Sequence, residues 1–185
     1  MINEIHKDAE VRMNKSLGSL DHELTHIRTG RANPALLDGL QVDYYGVKTP
    51  LAQVATISVS DARTLTVTPW EKTMVGPVEK SIIDSDLGLN PNSAGMTIRI
   101  PLPPLTEERR RYLAKLVSHE GENAKVAVRN IRRDANHSFK ELLKEKEITE
   151  DEERKAETKI QDLTNGFVAR IDEAVKVKSE EIMEI

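Results

Sequence analysis

The stretch HELTH, residues 22–26, has the residue types and the spacing of a zinc site. In the pattern H-E-x-x-H the two histidines lie on one face of a helix. The glutamate between them acts as the general base of a metalloprotease. A closed catalytic site needs a third protein ligand as well. The first chemistry to test against this sequence is therefore zinc-assisted peptide hydrolysis.

The position of HELTH on its own helix argues against that chemistry. Apolar residues recur at steps of three and four along residues 2–28 and predict one amphipathic helix. With Leu20 at zero and about 100° per residue, the apolar stripe centres near about 20°, whereas His22 and His26 fall at about 200° and 240°. The metzincin continuation is also missing, because Thr29 and Ala32 stand where Gly and His are required. We expect a solvated helix face and no metal site.

Other catalytic patterns are equally poor. The chain contains no G-x-S-x-G, P-loop, G-x-G-x-x-G or S-x-x-K pattern, and it has no cysteine for a nucleophile or a thiolate ligand. The remaining histidines, His6, His119 and His137, lack an acidic partner at helical spacing that would orient a base. The sequence predicts a protein that is not an enzyme, without a cofactor or a small-molecule substrate.

Composition limits the location of the protein. The first residues, MINEIHKDAEVRM, include acids and lack the apolar core of a signal peptide. No apolar run approaches the ~18 residues of a membrane span. Charged residues make up 31% of the chain and aromatic residues 3%, which is typical of long solvated helices. We expect a cytoplasmic protein without a membrane segment.

Two further amphipathic helices are predicted in the second half. One begins after Thr106, a good N-cap, and the other begins at Thr149, whose T-E-D-E sequence places Glu152 for a capping box. At 1.5 Å per residue the three helices are roughly 40, 60 and 50 Å long, and burying their apolar stripes together predicts an elongated three-helix bundle. Three glycines inside these helices have no explanation at the sequence level: Gly18, Gly121 and Gly166.

The middle of the chain has a different pattern. Short β-branched stretches at 40–46, 54–60, 64–68 and 96–100 predict strands. A short helix between the last two would turn Val78, Ile82 and Ile83 inward and stop at Gly88. The sequence therefore predicts an α+β protein. Its bundle comprises residues 1–29 plus 106–185, and a small β/α/β domain is inserted at 30–105.

The second long helix carries a basic flank. Cationic residues cluster on one side of it, roughly 80–180° from the apolar stripe. The segment 106–136 has eight Lys or Arg against five Asp or Glu, whereas 137–185 has nine against fourteen. The residues concerned include Lys125, Arg129, Arg132 and Arg133.

Two interpretations of this flank remain open. A solvated helix with intramolecular ion pairs is the common case. However, Arg129, Arg132 and Arg133 at i, i+3 and i+4 have only Asp134 beside them, and the guanidinium fork suits phosphate. Few aromatic residues lie nearby, so recognition of folded RNA by backbone and shape fits better than base stacking.

Five motifs distributed over the whole chain resemble those of bacterial ribosome recycling factors. In order they are IRTGRANPALLDGL, VDYYGVKTPL, SDLGLNPNSAG, IRIPLPPLTEERR and VAVRNIRRDAN. The resemblance implies an L-shaped protein whose bundle and small domain are joined by a flexible double linker. It also implies a monomer that binds ribosomal RNA of the large subunit on the post-termination ribosome. With elongation factor G and GTP, such a factor splits the ribosome into subunits and releases it from mRNA.

The resemblance also assigns residues. RNA contacts are expected from Arg129, Arg132 and Arg133 with Lys125 beside them, and from Arg28 and Arg31 near the linker. The hinge is expected at Gly30 and at the prolines Pro101, Pro103 and Pro104. The alternative from another class is a non-enzymatic helical adaptor whose bundle docks helices of another protein.

Overall fold

The structure is a computed structural model that describes residues 1–27, 29 and 31–184. Two compact units make up the chain. The helical unit comprises Met1–Leu24 with Tyr112–Glu180, and the sheet unit comprises Thr25–Arg111 with Glu181–Ile185. These limits lie a few residues from the predicted ones, and the last five residues cluster with the sheet unit. The predicted division into 1–29 plus 106–185 and 30–105 stays a prediction.

Four helices and six strands form the described chain, apart from short 3-10 turns. In order they are α1 (Ile2–His26), β1 (Gln41–Tyr44), β2 (Val47–Pro50), β3 (Ala55–Asp61), β4 (Thr64–Pro69), α2 (Val75–Ile83), β5 (Asn92–Ala94), β6 (Thr97–Pro101), α3 (Glu107–Lys144) and α4 (Glu150–Met183). This arrangement confirms the predicted α+β class.

The helical unit buries one stripe from each of α1, α3 and α4. The buried apolar residues are Ala9, Met13, Leu20, Leu24, Leu113, Val117, Ala124, Val128, Ile131, Ala135, Phe139, Ala156, Ile160, Phe167 and Ile171. Their spacing is the one that predicted the three helices. His6 was not expected in this core, yet it is 7% exposed and its ring centroid lies 5.4 Å from that of Phe139. The unit is a three-helix bundle.

Both predicted helix starts are confirmed by their hydrogen bonds. The hydroxyl of Thr106 accepts from the backbone N–H of Arg109 at 3.1 Å. At α4 the capping box is complete, since the N–H of Thr149 donates to Glu152 at 2.7 Å and the N–H of Glu152 donates to the Thr149 hydroxyl at 3.2 Å. Such caps satisfy backbone donors that a helix leaves open at its first turn.

Packing explains one of the three helical glycines. A Cβ on Gly121 would lie 2.4 Å from Cγ2 of Val175, so α3 and α4 approach closely at this point. A Cβ on Gly18 or Gly166 would meet no atom within 4 Å. Gly121 is therefore required by the α3–α4 contact, whereas nothing in the packing explains the other two.

The sheet unit consists of an antiparallel sheet in the order β3-β4-β6-β5 and a separate β1-β2 hairpin. Its core is aliphatic, and α2 contributes Val78 and Ile82, which are both fully buried. The strands contribute Val42, Leu65, Val67, Ile98 and Ile100. Alternate residues of β4 and β6 point into this core, as the period of two predicted.

Sequence patterning missed β2 and β5, because two-residue loops were hidden inside the motifs. Tyr45 and Gly46 both have positive φ, +48° and +86°, and this conformation turns β1 back onto β2. Gly95, at φ +64°, opens the equivalent loop between β5 and β6. The predicted strand 40–46 was therefore a strand and its turn.

Two details of the predicted α2 were also wrong. Ile83 is 57% exposed and does not face the core. The helix ends at Ile83 rather than at Gly88. The N–H of Asp84 makes the last i→i−4 bond, to Lys80 O at 2.9 Å, and the N–H of Ser85 bonds to Ile82 O at 3.3 Å in a tighter turn. Asp84, Ser85 and Asp86 lie beyond this end.

The structure places both histidines of HELTH, His22 and His26, on the solvent side of α1, where they are exposed, whereas Leu24 between them faces the core. Among the residues that the structure describes, no group of three or more His, Asp and Glu is arranged to hold a metal ion. Within the same part of the chain, no helix is long and apolar enough to cross a membrane.

Candidate nucleic-acid interface

Three arginines of α3 define a surface that we call the basic face: Arg129, Arg132 and Arg133. Their positions follow from the helix period, because Val128 and Ile131 on the adjoining side are buried in the bundle. Arg129 and Arg132 are half-buried, so their aliphatic stems lie along the bundle, whereas Arg133 is exposed. The core thereby holds the three side chains on one outward flank.

No arginine of the basic face forms a salt bridge with an acidic residue in the described part of the chain. The nearest acid in sequence, Asp134, is held by Arg12 of α1 at 2.8 Å. Its carboxylate is thus compensated across the bundle. The positive charge of the basic face is therefore not neutralised within the described chain. A surface made of intramolecular ion pairs would have its charges neutralised.

Two arginines of the basic face, Arg132 and Arg133, donate to neutral amides. Nη1 of Arg132 donates to Oε1 of Gln161 on α4 at 3.2 Å. Nη1 of Arg133 donates to Oδ1 of Asn130 at the same distance. Each guanidinium retains other N–H groups, since it carries five donors in one plane. The amides therefore orient the forks while leaving charge and donors for an anion.

Lys125 lies on the same flank but in a different electrostatic setting. Its side chain is 17% exposed, and its Nζ lies 2.5 Å from Asp172 and 3.2 Å from Glu122. The hydrogen bond with Asp172, followed by the one with Glu122, raises the pKa of Lys125 against the opposing effect of burial. This ammonium links α3 to α4, and Asp172 and Glu122 neutralise most of its charge within the bundle.

Of the other predicted RNA contacts, Arg31 belongs to the sheet unit. It pairs with Glu184 at 2.8 Å, and both side chains are largely exposed. Pairs of this kind are screened and weak. Arg28 lies outside the described residues, and its contact stays a prediction.

The predicted hinge residues are only partly described. Gly30 lies outside the described residues. Pro101 is the last residue of β6 and pairs with Thr64, and the next residue, Leu102, donates its N–H to Arg63 O at 2.7 Å. Pro103 and Pro104 follow the strand and lie exposed before α3. Of the three prolines, Pro101 is the one fixed in the sheet.

Sequence reasoning missed the contribution of α4 to this surface. Gln161 orients Arg132, and Asp172 neutralises Lys125, although both lie about thirty to fifty residues further along the chain. The sequence of α4 showed its apolar stripe but not which of its polar residues face α3. Which polar residues of α4 face α3 depends on the relative rotation of two packed helices.

Comparison with known proteins gives a consistent result. A family model described as ribosome recycling factor matches residues 20–183. The ribosome-recycling factor of Coxiella burnetii strain CbuG_Q212 is 58% identical, and that of Legionella pneumophila strain Paris is 57% identical. Each alignment covers the whole of both chains.

Solved structures of the same kind resemble the fold. A solution structure of the ribosome recycling factor is 39% identical, with a TM-score of 0.81, and the match covers 100% of this chain and 98% of the other. A second match is 46% identical over 100% of both chains, with a TM-score of 0.69. It comes from models for the T. thermophilus ribosome recycling factor and the E. coli elongation factor G bound to the E. coli post-termination complex. The chain, matched in sequence and in fold over its length, belongs to the ribosome recycling factor family.

Proposed function

We propose that this protein binds the post-termination ribosome and, together with elongation factor G and GTP, splits it into subunits and releases it from mRNA. The structural observation behind this proposal is the basic face. Its three guanidinium groups lack carboxylate partners in the described chain. A similar protein has been placed with elongation factor G on the post-termination complex. The protein would act in the cytoplasm.

Large-subunit ribosomal RNA is the proposed ligand of the basic face. Phosphates accept from guanidinium forks, and a straight helical flank suits a regular backbone better than splayed bases. Arg129, Arg132 and Arg133 would carry most of the contact. Lys125 would contribute less, because Asp172 and Glu122 already hold its ammonium. Arg28 and Arg31 are proposed as secondary contacts.

A flexible linker is the second part of the proposal. Gly30 on one connection and Pro103-Pro104 on the other would let the two units change orientation during splitting, while Pro101 stays with its sheet. The chain itself would perform no covalent step and would act as a monomer without a cofactor. A Gly30→Val variant should then bind ribosomes almost normally but split them more slowly. Equal loss of binding and splitting would contradict the hinge.

The RNA contact is tested by the affinity of Arg132→Ala and Arg132→Lys for large ribosomal subunits over a range of salt concentrations. Alanine should weaken binding by about 1–3 kcal/mol and lower the slope of log affinity against log salt by roughly 0.7–0.9. Lysine should preserve the slope and restore only part of the affinity, because a point charge cannot replace the fork.

The control in this experiment is the melting temperature. Arg132 is only half-buried and its loss leaves no cavity, so stability should change by about 0.5 kcal/mol or less. A collapse of the melting temperature would mean that Arg132 holds the bundle together. Unchanged salt dependence in a stable variant would place the RNA contact elsewhere, and failure to co-sediment with subunits at all would favour the helical adaptor.

A further inference from the structure

Two aromatic residues lie beside a glutamate on the sheet unit, and we call this group the aromatic cluster: Tyr44 and Tyr45 around Glu71. Tyr45 is 72% exposed. Aromatic side chains of this size contribute strongly to binding when a partner covers them. The proposed RNA contact of α3 makes no use of them.

Glu71 fixes the orientation of the two tyrosines. The hydroxyl of Tyr44 donates to Oε1 of Glu71 at 2.9 Å, and that of Tyr45 donates to Oε2 at 3.0 Å. The two rings meet edge to face, with their centroids 4.7 Å apart. Tyr45 adopts φ +48°, a conformation that non-glycine residues seldom adopt, within the two-residue turn between β1 and β2. The rings are therefore presented in one arrangement.

The polar tips of both tyrosines are thus satisfied inside the sheet unit. What remains for a partner is ring surface, whose faces carry negative potential. Trp70 is also exposed, but its indole Nε1–H donates to the hydroxyl of Thr56 at 3.0 Å, and Thr56 pairs with Thr68 across β3 and β4. Trp70 therefore lies on another face of the sheet and is not part of the cluster.

The charge of Glu71 adds to that potential. Its carboxylate forms no salt bridge with a lysine or arginine of the described residues. The two tyrosines use two of its roughly four acceptor positions. Ring faces beside a free carboxylate attract an organic cation and repel phosphate. This electrostatic character is opposite to that of the basic face.

We propose that the aromatic cluster is a docking site for an arginine or lysine side chain presented by a partner protein. The cation stacks on the exposed ring of Tyr45 and donates to the open acceptor positions of Glu71. Arginine fits better, because its planar group stacks and donates at once. The cluster lies wholly within the sheet unit, so this site is independent of the RNA contact proposed for α3.

The test follows the backbone N–H signal of Gly46 by NMR, because Gly46 adjoins Tyr45 in the turn between β1 and β2. The intact protein is titrated with the capped peptide acetyl-Gly-Arg-Gly-amide and with its neutral citrulline counterpart. We expect a saturable shift of the Gly46 signal with the arginine peptide, at a Kd on the order of millimolar. The citrulline peptide should bind at least about fivefold more weakly, because cation–π attraction and the ion pair are lost.

Three variants show which atoms are responsible. Glu71→Gln and Tyr45→Ala should each weaken the arginine response about fivefold or more. Glu79→Gln removes the same charge elsewhere in the sheet unit, where Glu79 accepts from Ser93, and should bind like the unchanged protein. Circular dichroism verifies that each variant remains folded.

Several outcomes would overturn the proposal. They are the absence of a saturable shift with the arginine peptide, an equal response to citrulline, and an unchanged response in folded Glu71→Gln. A saturable shift with oligouridylate in place of the peptide would identify the cluster as a stacking surface for single-stranded RNA.

Discussion

The basic face of α3 and the aromatic cluster of the sheet unit both present large, well-oriented side chains. They differ in the sign of the charge that has no salt-bridge partner in the described chain, which is positive on the basic face and negative in the aromatic cluster. In the first, neutral amides orient arginines whose charge is left free. In the second, tyrosine hydroxyls orient a glutamate whose charge is left free. In both, hydrogen bonds with uncharged groups fix the geometry of the charged group without neutralising it. Such a group is ready for a charged partner, because little reorganisation is needed on binding.

The two surfaces differ in how they are assembled. The basic face lies on consecutive turns of one helix, so the helix period alone brings Arg129, Arg132 and Arg133 together. The aromatic cluster needs a hairpin turn at Tyr45 to meet the end of β4 at Glu71, 26 residues away. A surface made by one helix can be read from its spacing, whereas one made by two strands and a turn requires the sheet.

The largest effect is expected from removing the whole basic face. Joint replacement of Arg129, Arg132 and Arg133 by alanine should lower affinity for large ribosomal subunits more than about a hundredfold. The slope of log affinity against log salt should fall by roughly two to three, since each phosphate contact contributes ~0.7–0.9. Sedimentation at several salt concentrations measures both quantities. An unchanged slope would mean that the basic face does not neutralise RNA phosphates, and the proposed difference in partner between the two surfaces would fail.

A smaller effect is expected from crowding the helix contact that supports the basic face. Gly121→Ala should destabilise the protein by about 1–3 kcal/mol, because its Cβ would clash with Val175 on α4. Thermal or urea unfolding measures the change. Gly18→Ala is the matched control and should stabilise by about 0.5–1 kcal/mol, because nothing lies within 4 Å and alanine favours the helix.

The clash can be confirmed by a second substitution. Trimming Val175 to alanine in the Gly121→Ala background should recover part of the lost stability, as expected for residues in direct contact. If the double variant is less stable than both single variants, the contact between these two side chains is not the cause.

The helical unit should also be sensitive to acid at His6. Burial, followed by the charge of Lys159, lowers the pKa of His6, against a hydrogen bond with the Ala156 backbone. Because the fold disfavours the protonated ring, its stability contribution is complete above about pH 6.5 and is lost as pH falls below that value. Melting temperatures between pH 8 and 5 measure the loss.

The control for His6 is a histidine that lies on the surface of the same unit. The substitution His6→Gln should reduce the fall in melting temperature at acidic pH. The substitution His119→Gln should leave the pH dependence of the melting temperature unchanged. An identical profile for all three proteins would show that the pKa of His6 is the same in the folded and unfolded states.

The smallest effect is expected where the two surfaces are compared directly. Tyr45→Ala removes a ring from the aromatic cluster and changes no charge, so the salt dependence of binding to large subunits should stay the same. The measurement is the slope already described for the arginine variants. A clear drop in the Tyr45→Ala slope would connect the cluster to RNA and weaken the contrast between the two surfaces.

Much of this fold could be predicted from local patterns. Helix faces, the caps at Thr106 and Thr149, and the apolar alternation of β4 and β6 depend on residues a few positions apart. The same is true of the exposed side of α1 that carries His22 and His26. The turns that create β2 and β5 were missed because their strands are short and the signal is one glycine in each loop.

The site was predicted less completely than the fold. Positions of the three arginines on α3 followed from their spacing, but their lack of carboxylate partners did not. Asp134 is adjacent in sequence to Arg133, yet Arg12 of α1 holds it. Lys125 looked equivalent to the arginines until α4 brought Asp172 to it. Ion pairing across helices depends on rotation and register, which a single sequence does not show.

The sequence by itself determined the family, the helices and their buried faces, and the cationic flank of α3, because each rests on periodicity or on motifs within one segment. Only the tertiary structure decided which charges stay uncompensated, why Gly121 has no side chain, and that His6 is buried beside Phe139. It alone brought Tyr44 and Tyr45 to Glu71. These features depend on atoms that become neighbours only when distant segments pack, and the energies of burial and charge are set by those neighbours.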